Sequence, residues 1–297
     1  MAENARPGDS GRITRDYFDS LLPEMRLIDS DLPDTKMTLY GHDFSTPVMV
    51  AALSRLEKVH PNGLTEMAIG AKAASAVMWA GTGDDAELES IVATGAKTIK
   101  IIKPYVDNNE ILRKIKHAEG CGVIAVGMDI DHAFSRKGGY DSIRGMDMRP
   151  KTLDDIKSFV SATTLPFIIK GILSVQDAEK CLDAGVARIV VSHHHGIMDY
   201  ALPPLMILPK IVEAVHGRMQ IFVDCNVERG MDVFKAMALG ATAVSVGRAL
   251  MGPMGEGGAD KVCETINTMT GELSFAMSMT GSPNISNIDP SLVWKKH

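Results

Sequence analysis

The sequence predicts an α/β fold with a parallel sheet, most simply a single (β/α)8 TIM barrel with a short N-terminal extension. Three observations predict it. First, eight short apolar runs recur along the chain, each bounded by Gly, Pro or Asp: Val48–Leu53, Ala76–Trp79, Thr98–Ile102, Val123–Val126, Phe167–Ile169, Arg188–Val191, Gln220–Val223 and Ala243–Val246. Second, these runs do not alternate polar with apolar residues, so each is buried on both faces, as in a parallel sheet covered by helices. Third, helical patterns separate the runs, and several end in glycine (Gly95, Gly120, Gly185, Gly217, Gly240), which takes a left-handed turn without steric cost. A doubly wound open sheet is the alternative. The count of eight, and the lack of GxGxxG after the first run, favour the barrel.

In chain order, residues 1–36 read as an arm and a helix, and 37–297 as the barrel domain. Residues 1–12 are polar and bear Gly and Pro; Ile13–Leu22 has a helical pattern stopped by Pro23. Met37–Tyr40 and the segment near Phe44 suit a small hairpin around Gly41-His42. The expected helices are Glu66–Ala74, Asp85–Ala93, Asn109–Glu119, Leu153–Ala162, Val175–Ala184, Leu205–Val215, Met231–Leu239 and, after the eighth run, about Ala259–Met279. Acidic residues open Asp85–Ala93, where they complement the helix dipole.

Composition narrows the function. The 297 residues are 45% hydrophobic and 23% charged, with a net charge of -6 and a pI near 5.8. That balance argues against nucleic acid and anionic membrane surfaces as partners. No apolar run reaches the length of a membrane span, and the first residues lack the apolar core of a signal peptide. Cys121, Cys181, Cys225 and Cys263 are scattered without a CxxC, as expected of reduced thiols and a cytoplasmic protein.

In a barrel of this kind the C-terminal strand tips form the active face. Gly247-Arg248 follows the eighth run and Asp224-Cys225-Asn226-Val227-Glu228-Arg229-Gly230 follows the seventh. Loops at those two places commonly bind phosphate, with backbone N–H groups on the anion and an Arg adding a charge-assisted contact. The plainer reading is a tight turn with a surface Arg. Lys170 follows three apolar residues in PFIIKG. At a strand tip it would stabilise negative charge on a ligand or act as an amine nucleophile; the plainer reading is a solvated strand end. His194 lies in SHHHG beyond the sixth run, with Asp129 at the tip of the fourth. A neutral imidazole oriented by a carboxylate is a general base. Consecutive histidines cannot all face one ion, so no metal is expected.

These residues also carry a resemblance. From about Ile13 to about Met251 the chain is similar to the FMN-dependent α-hydroxy acid oxidases and dehydrogenases (glycolate oxidase, lactate oxidase and relatives). TPVMVAALSRLEKVHPNGLTEMAIGAKAAS resembles the family's first strand and the His-Pro-x-Gly helix start after it. PFIIKGILSVQDAEKCLDAGVARIVVSHHHG resembles the block bearing a flavin-contacting Lys and the catalytic His, and DCNVERGMDVFKAMALGATAVSVGRAL resembles the phosphate block. The resemblance implies FMN as cofactor and His194 as general base, with Asp129 orienting it. It places Lys170 near flavin N1, and Ser192, Asp224, Cys225, Asn226, Arg229, Gly247 and Arg248 around the cofactor. It further implies a small-molecule substrate and a homo-oligomer, commonly a tetramer.

The chain departs from the family pattern around the substrate. The Arg that clamps the substrate carboxylate after the base is absent, because His195-Gly196-Ile197-Met198-Asp199 runs one residue short. Lys103 stands near the position of a substrate Tyr, Ile101 replaces a flavin-contacting Gln, and Gly127 replaces a Thr. Cys225-Asn226 replaces two glycines, and Glu228 aligns with an Arg, although Arg229 lies beside it. His195 occupies a glycine position. Lys103, His195 and Arg144 are therefore the expected substrate contacts, with Arg136 and Arg149 as further candidates for the missing clamp. The leading expectation is an FMN oxidoreductase with an altered substrate; the alternatives are a non-catalytic FMN- or phosphate-binding barrel and, more weakly, non-redox chemistry such as isomerisation.

Overall fold

The computed structural model describes residues 7–296. Eight parallel strands close into a barrel. They are β1 (Val48–Leu53), β2 (Met78–Ala80), β3 (Thr98–Ile102), β4 (Ala125–Asp129), β5 (Phe167–Ile172), β6 (Arg188–Val191), β7 (Gln220–Val223) and β8 (Ala243–Val246). All eight expected runs are strands of this barrel. The helices are α1 (Ser10–Ser20) before the barrel, then α2 (Gly63–Ala73), α3 (Asp85–Ala93), α4 (Asn108–Cys121), α5 (Leu153–Ser161), α6 (Val175–Asp183), α7 (Pro204–Val215), α8 (Gly230–Ala238) and α9 (Arg248–Met279).

Side-chain alternation explains how the barrel aims its polar residues. Met49, Val77, Trp79, Ile99, Ile101, Ala125, Ile168, Val190, Phe222 and Ala243 form one buried cluster filling the interior. Trp79 and Phe222 meet edge to face there, with ring centroids 5.6 Å apart. Met37, Leu39 and Phe44 of the predicted hairpin join this cluster and close the N-terminal end. The intervening strand residues face the helices in the larger outer core. Two residues beyond the inward set, the same parity delivers Lys103, Lys170, Ser192 and Asp224 to the C-terminal mouth, and four residues beyond it delivers Asp129 and Gly247. Gly127 lies on this parity too; a Cβ there would sit 2.4 Å from the Ile168 carbonyl oxygen, so β4 approaches β5 too closely for a side chain.

Two boundaries differ from expectation. The first helix starts at Ser10 because Asp9 caps it, accepting from the Gly11 and Arg12 N–H groups. It ends at Ser20, because Leu21–Pro23 pairs antiparallel with Val293–Lys295. The last helix begins at Arg248, directly after β8, and is interrupted at Gly257 and Gly258. Gly258 has φ 57°, and Glu66 accepts the Ala259 N–H at 2.7 Å, starting the expected Ala259–Met279 arm afresh.

Candidate functional site

A cavity of about 660 Å³ opens at the mouth of the barrel on the side of β1, β7 and β8. Its walls include Ala51–Leu53, Lys170, His194, His195, Asp224–Glu228, Ser245 and Gly247–Ala249. The Gly247–Ala249 wall is the first turn of α9, whose free backbone N–H groups make an anion site. Arg248 lies on the same wall and has no ion-pair partner among the described residues. The opposite loop is held from outside. Asp232, buried in the first turn of α8, accepts the Glu228 and Arg229 N–H groups and a two-pronged contact from Arg15 of α1, both prongs at 2.9 Å. Arg15 also donates to the Asn226 carbonyl.

Lys170 forms the inner wall. It is 5% exposed, and its Nζ lies 3.1 Å from Asp224 Oδ2 and donates to Ser192 Oγ at 3.1 Å. Burial lowers its pKa, but Asp224, Asp129 and Asp131 outweigh burial and hold it above the usual lysine range. Lys170 is therefore a fixed ammonium, which disfavours the amine-nucleophile reading. Asp224, also buried, is held below the ordinary carboxylate range chiefly by Lys170. Cys225 donates its S–H to Asp224 and is pushed up by burial, so it is an inert thiol.

A second cavity, of about 340 Å³, adjoins the first and shares Ala52, Leu53 and His194 with it. Ser54, Arg55, Gly81, Thr82, Ile101, Lys103, Asp129, His132, Ile143 and Arg144 complete its lining. His194 thus stands between the two spaces. Its backbone is left-handed (φ 47°), fixed by its N–H donating to Ser192 Oγ at 3.0 Å. Its Nδ1 donates to Asp129 Oδ1 at 3.1 Å and to Asp131 Oδ1 at 2.8 Å, and its Nε2 lies 3.0 Å from His132 Nε2. Burial lowers the His194 pKa, but the two carboxylates prevail and raise it above the usual imidazole value. Lys103 donates to the second oxygen of Asp129 at 2.6 Å. Burial and the Asp129 charge push Asp131 up to about 6, and burial pushes His132 down to about 4.

The neighbouring histidines have other places. His193 is buried; its Nδ1 accepts the Gly196 N–H, so its Nε2 donates to Thr14 Oγ1 at 2.7 Å and ties the loop after β6 to α1. His195 lines the larger cavity, and burial lowers its pKa to about 4.

The structure brings His194, Asp129 and Lys170 together at the mouth, with Asp224, Cys225, Asn226, Gly247 and Arg248 around the larger cavity. It corrects several finer placements. Lys103 lines the smaller cavity, but its charge is spent on Asp129. His195 faces the larger cavity instead of the smaller. Arg229 is absent from the larger cavity's wall, which Glu228 occupies instead, because Asp232 turns the chain into α8 at that point. Ser192 lies outside that wall and bridges Lys170, the His194 backbone and Cys225. Arg136 donates to the Gly196 and Ile197 carbonyls, and Arg149 stacks on Tyr140. Arg144, together with Arg55, remains on the smaller cavity without an ion-pair partner among the described residues. Two residues went unnoticed in the sequence, Asp131 and His132. The spacing of Asp129 and Asp131, two apart at a strand tip, was the available signal.

Asp129, Asp131, His132 and His194 bring donor atoms within 4.8 Å of one another, a spacing that also suits a metal ion. Here both ring nitrogens of His194 are engaged in hydrogen bonds, and the Lys103 ammonium holds Asp129.

Comparison with known proteins agrees with the fold. Residues 2–153 and 136–295 match the model of a family described as FMN-dependent dehydrogenase. A peroxisomal (S)-2-hydroxy-acid oxidase of Oryza sativa subsp. japonica is 32% identical over 315 aligned residues, covering 93% of this chain and 85% of the relative. A glycolate oxidase of Spinacia oleracea is 27% identical, with the same coverage, 93% and 85%. A mandelate oxidase variant solved with a C4a-OH-FMN adduct superposes with a TM-score of 0.87 at 28% identity, covering 96% of this chain and 91% of that one.

Proposed function

We propose, for a chain that belongs to the FMN-dependent dehydrogenase family, that His194 removes the hydroxyl proton of a small anionic 2-hydroxy compound seated in the smaller cavity. FMN is the cofactor of this family, and bound FMN supplies the hydride acceptor. The residues present fit it. The larger cavity has a volume suited to such a ligand, a helix N-terminus with Arg248 for a phosphate, and the Lys170 ammonium for negative charge deeper in. Asn226 Oδ1 is buried on its wall without a hydrogen-bond partner among the described residues, an acceptor that a hydroxyl-bearing ligand satisfies. Glu228 on the same wall repels phosphate, so Arg248 and the α9 N–H groups carry that end.

The observation that carries the reading is the position of His194 between the two cavities. Asp129 and Asp131 fix its Nδ1–H, leaving Nε2 as the nitrogen that exchanges protons. Lys170 holds a permanent positive charge on the cavity wall without acting on the proton. Among the described residues, Arg144 and Arg55 are the cations on the smaller cavity without an ion-pair partner, and we assign the substrate's anionic group to them. Each charge-assisted contact of this kind contributes about 1.5–3 kcal/mol.

The test is anaerobic bleaching of the visible flavin band by a panel of 2-hydroxy acids, glycolate, lactate and mandelate among them. The protein should bind FMN, and at least one acid should bleach it. A His194→Ala variant should bleach about a hundredfold or more slowly, as expected on losing a general base. Bleaching at the wild-type rate in that variant would reject the base assignment. A yellow protein that no acid bleaches would favour a barrel that binds FMN without oxidising.

A further inference from the structure

We propose that His132 is a second proton-transfer group of this site: it receives from His194 Nε2 the proton that His194 takes from the substrate, and Asp141 passes it to solvent. The proposal rests on His194 being the base, and its test is separable from that reading.

The hydrogen bonds allow one proton inventory. His194 Nδ1 lies between two carboxylate oxygens, which only accept, so it bears a hydrogen. A single hydrogen lies between His194 Nε2 and His132 Nε2 at 3.0 Å. The outer end decides which ring owns it. His132 Nδ1 lies 3.4 Å from Asp141 Oδ2, again an acceptor, so Nδ1 bears the His132 hydrogen and its Nε2 presents a lone pair. The shared hydrogen then belongs to His194, making it an imidazolium beside a neutral His132. Surrounding charges agree. Asp129 and Asp131 favour the His194 cation, against burial and Lys170; burial, Lys103 and the His194 cation keep His132 neutral against Asp129 and Asp141.

A base that starts out protonated must discharge before it can act. The His194 Nε2–H bond breaks as the hydrogen bonds to His132 Nε2, and the His132 Nδ1–H bond breaks as that proton moves to Asp141 and on to water. The ring that remains has a free Nε2 lone pair. The substrate O–H bond would then break, with its hydrogen going to Nε2, and the C–H electron pair would leave as hydride to the acceptor that FMN, when bound, would supply. The product is a carbonyl; while displaced, His132 gives its Nε2 hydrogen to water and regains one on Nδ1, which restores the lone pair facing His194 and leaves one proton per turnover released to solvent. Substrate and His132 use one nitrogen in turn, so the His132 ring swings aside when substrate is seated. The 3.4 Å contact to Asp141 is weak enough to permit this.

The experiment is nitrogen NMR of the full-length FMN-loaded protein carrying 15N-labelled histidine, with signals assigned from the variants, titrated across neutral pH. His194 should show both nitrogens protonated, and His132 a neutral ring with hydrogen on Nδ1. In His132→Phe and in Asp141→Ala, the His194 midpoint should fall by about one pH unit as the lone-pair partner is lost or turned over. Bleaching by whichever 2-hydroxy acid is active should slow by about tenfold or more in His132→Phe and partly recover with added imidazole. A His132 hydrogen on Nε2 at neutral pH, or a His194 midpoint unmoved in both variants, overturns the relay. So does slowed bleaching without imidazole rescue, which a structural role alone would produce. Undiminished bleaching in His194→Ala would instead remove the base reading, leaving the two-histidine hydrogen bond as a structural fact.

Discussion

Asp129 meets two positive groups, and that accounts for the second carboxylate beside it. Lys103 takes one oxygen at 2.6 Å, which offsets part of the charge Asp129 brings to His194. Asp131 adds a second carboxylate contact at 2.8 Å, shorter than the 3.1 Å contact of Asp129. Its place is made by Gly171, a bulge residue with φ 96° where a Cβ would lie 2.7 Å from Asp131 Oδ2. A pH prediction follows. His194 works as a base only when neutral, and its pKa is raised, so the acid limb of flavin reduction should lie above the usual imidazole value of about 6.5. Asp131 is itself pushed up to about 6, so it is mostly anionic where His194 titrates. Asp131→Asn removes that anion, destabilises the imidazolium and should shift the limb to lower pH by about one unit. Stopped-flow reduction rates from pH 5 to 9 check it; a limb that stays put or moves up contradicts the assignment. His194, Lys170 and Arg248 were legible in the sequence because each follows an apolar run ending at a known face of the barrel. Asp131 and His132 were not, because they lie in a loop whose path no periodicity dictates.

At the scale of elements, the larger cavity depends on how α8 sits against α9. Gly230 begins α8, and a Cβ there would stand 2.1 Å from the Met269 carbonyl oxygen and 2.5 Å from the Leu273 nitrogen. Both are backbone atoms of a helix interior and cannot rotate away. Gly230 also donates its N–H to Glu272 at 2.6 Å. Gly230→Ala should therefore force the helices apart, costing about 1–3 kcal/mol as overpacking does. The phosphate-side loop Asp224–Arg229 feeds directly into α8, so FMN affinity should fall with stability. Thermal unfolding and flavin titration together test this; a normal midpoint would mean the helices have slack. The strands were readable from sequence because burial on both faces leaves uniform apolar runs. The Arg248–Glu256 turns were not, because Gly252, Pro253 and Gly255 suppress the helical pattern. The left-handed backbones at His195, Cys225 and Asn226 were also hidden, since non-glycine residues rarely adopt them. The resemblance places glycines at all three, so the backbone shape persists here at the expense of local strain.

Over the whole molecule, the larger cavity is bounded by parts of β1, β5, β7 and β8, the loop after β6 and the first turn of α9, while α1 pins its outer loop through Arg15. A ligand that fills it therefore ties distant parts of the chain together and stabilises the fold by mass action. At a hundredfold excess over the dissociation constant, FMN contributes about 2.7 kcal/mol. For a chain of 297 residues that should raise the thermal midpoint by about 4 °C. Arg248 isolates the phosphate end of this coupling, because it has no ion-pair partner among the described residues and its loss leaves no buried charge exposed to an empty neighbour. Arg248→Met should leave the midpoint of the FMN-free protein unchanged. Losing one charge-assisted contact, about 1.5–3 kcal/mol, weakens FMN roughly tenfold to a hundredfold. At the same FMN concentration, half or more of the stabilisation should then disappear. Riboflavin, which lacks the phosphate, supplies the control: its smaller shift should be the same in the variant and the wild type. If Arg248→Met instead keeps the full FMN shift, the phosphate does not bind at α9, and the cofactor must be anchored through the loop after β7.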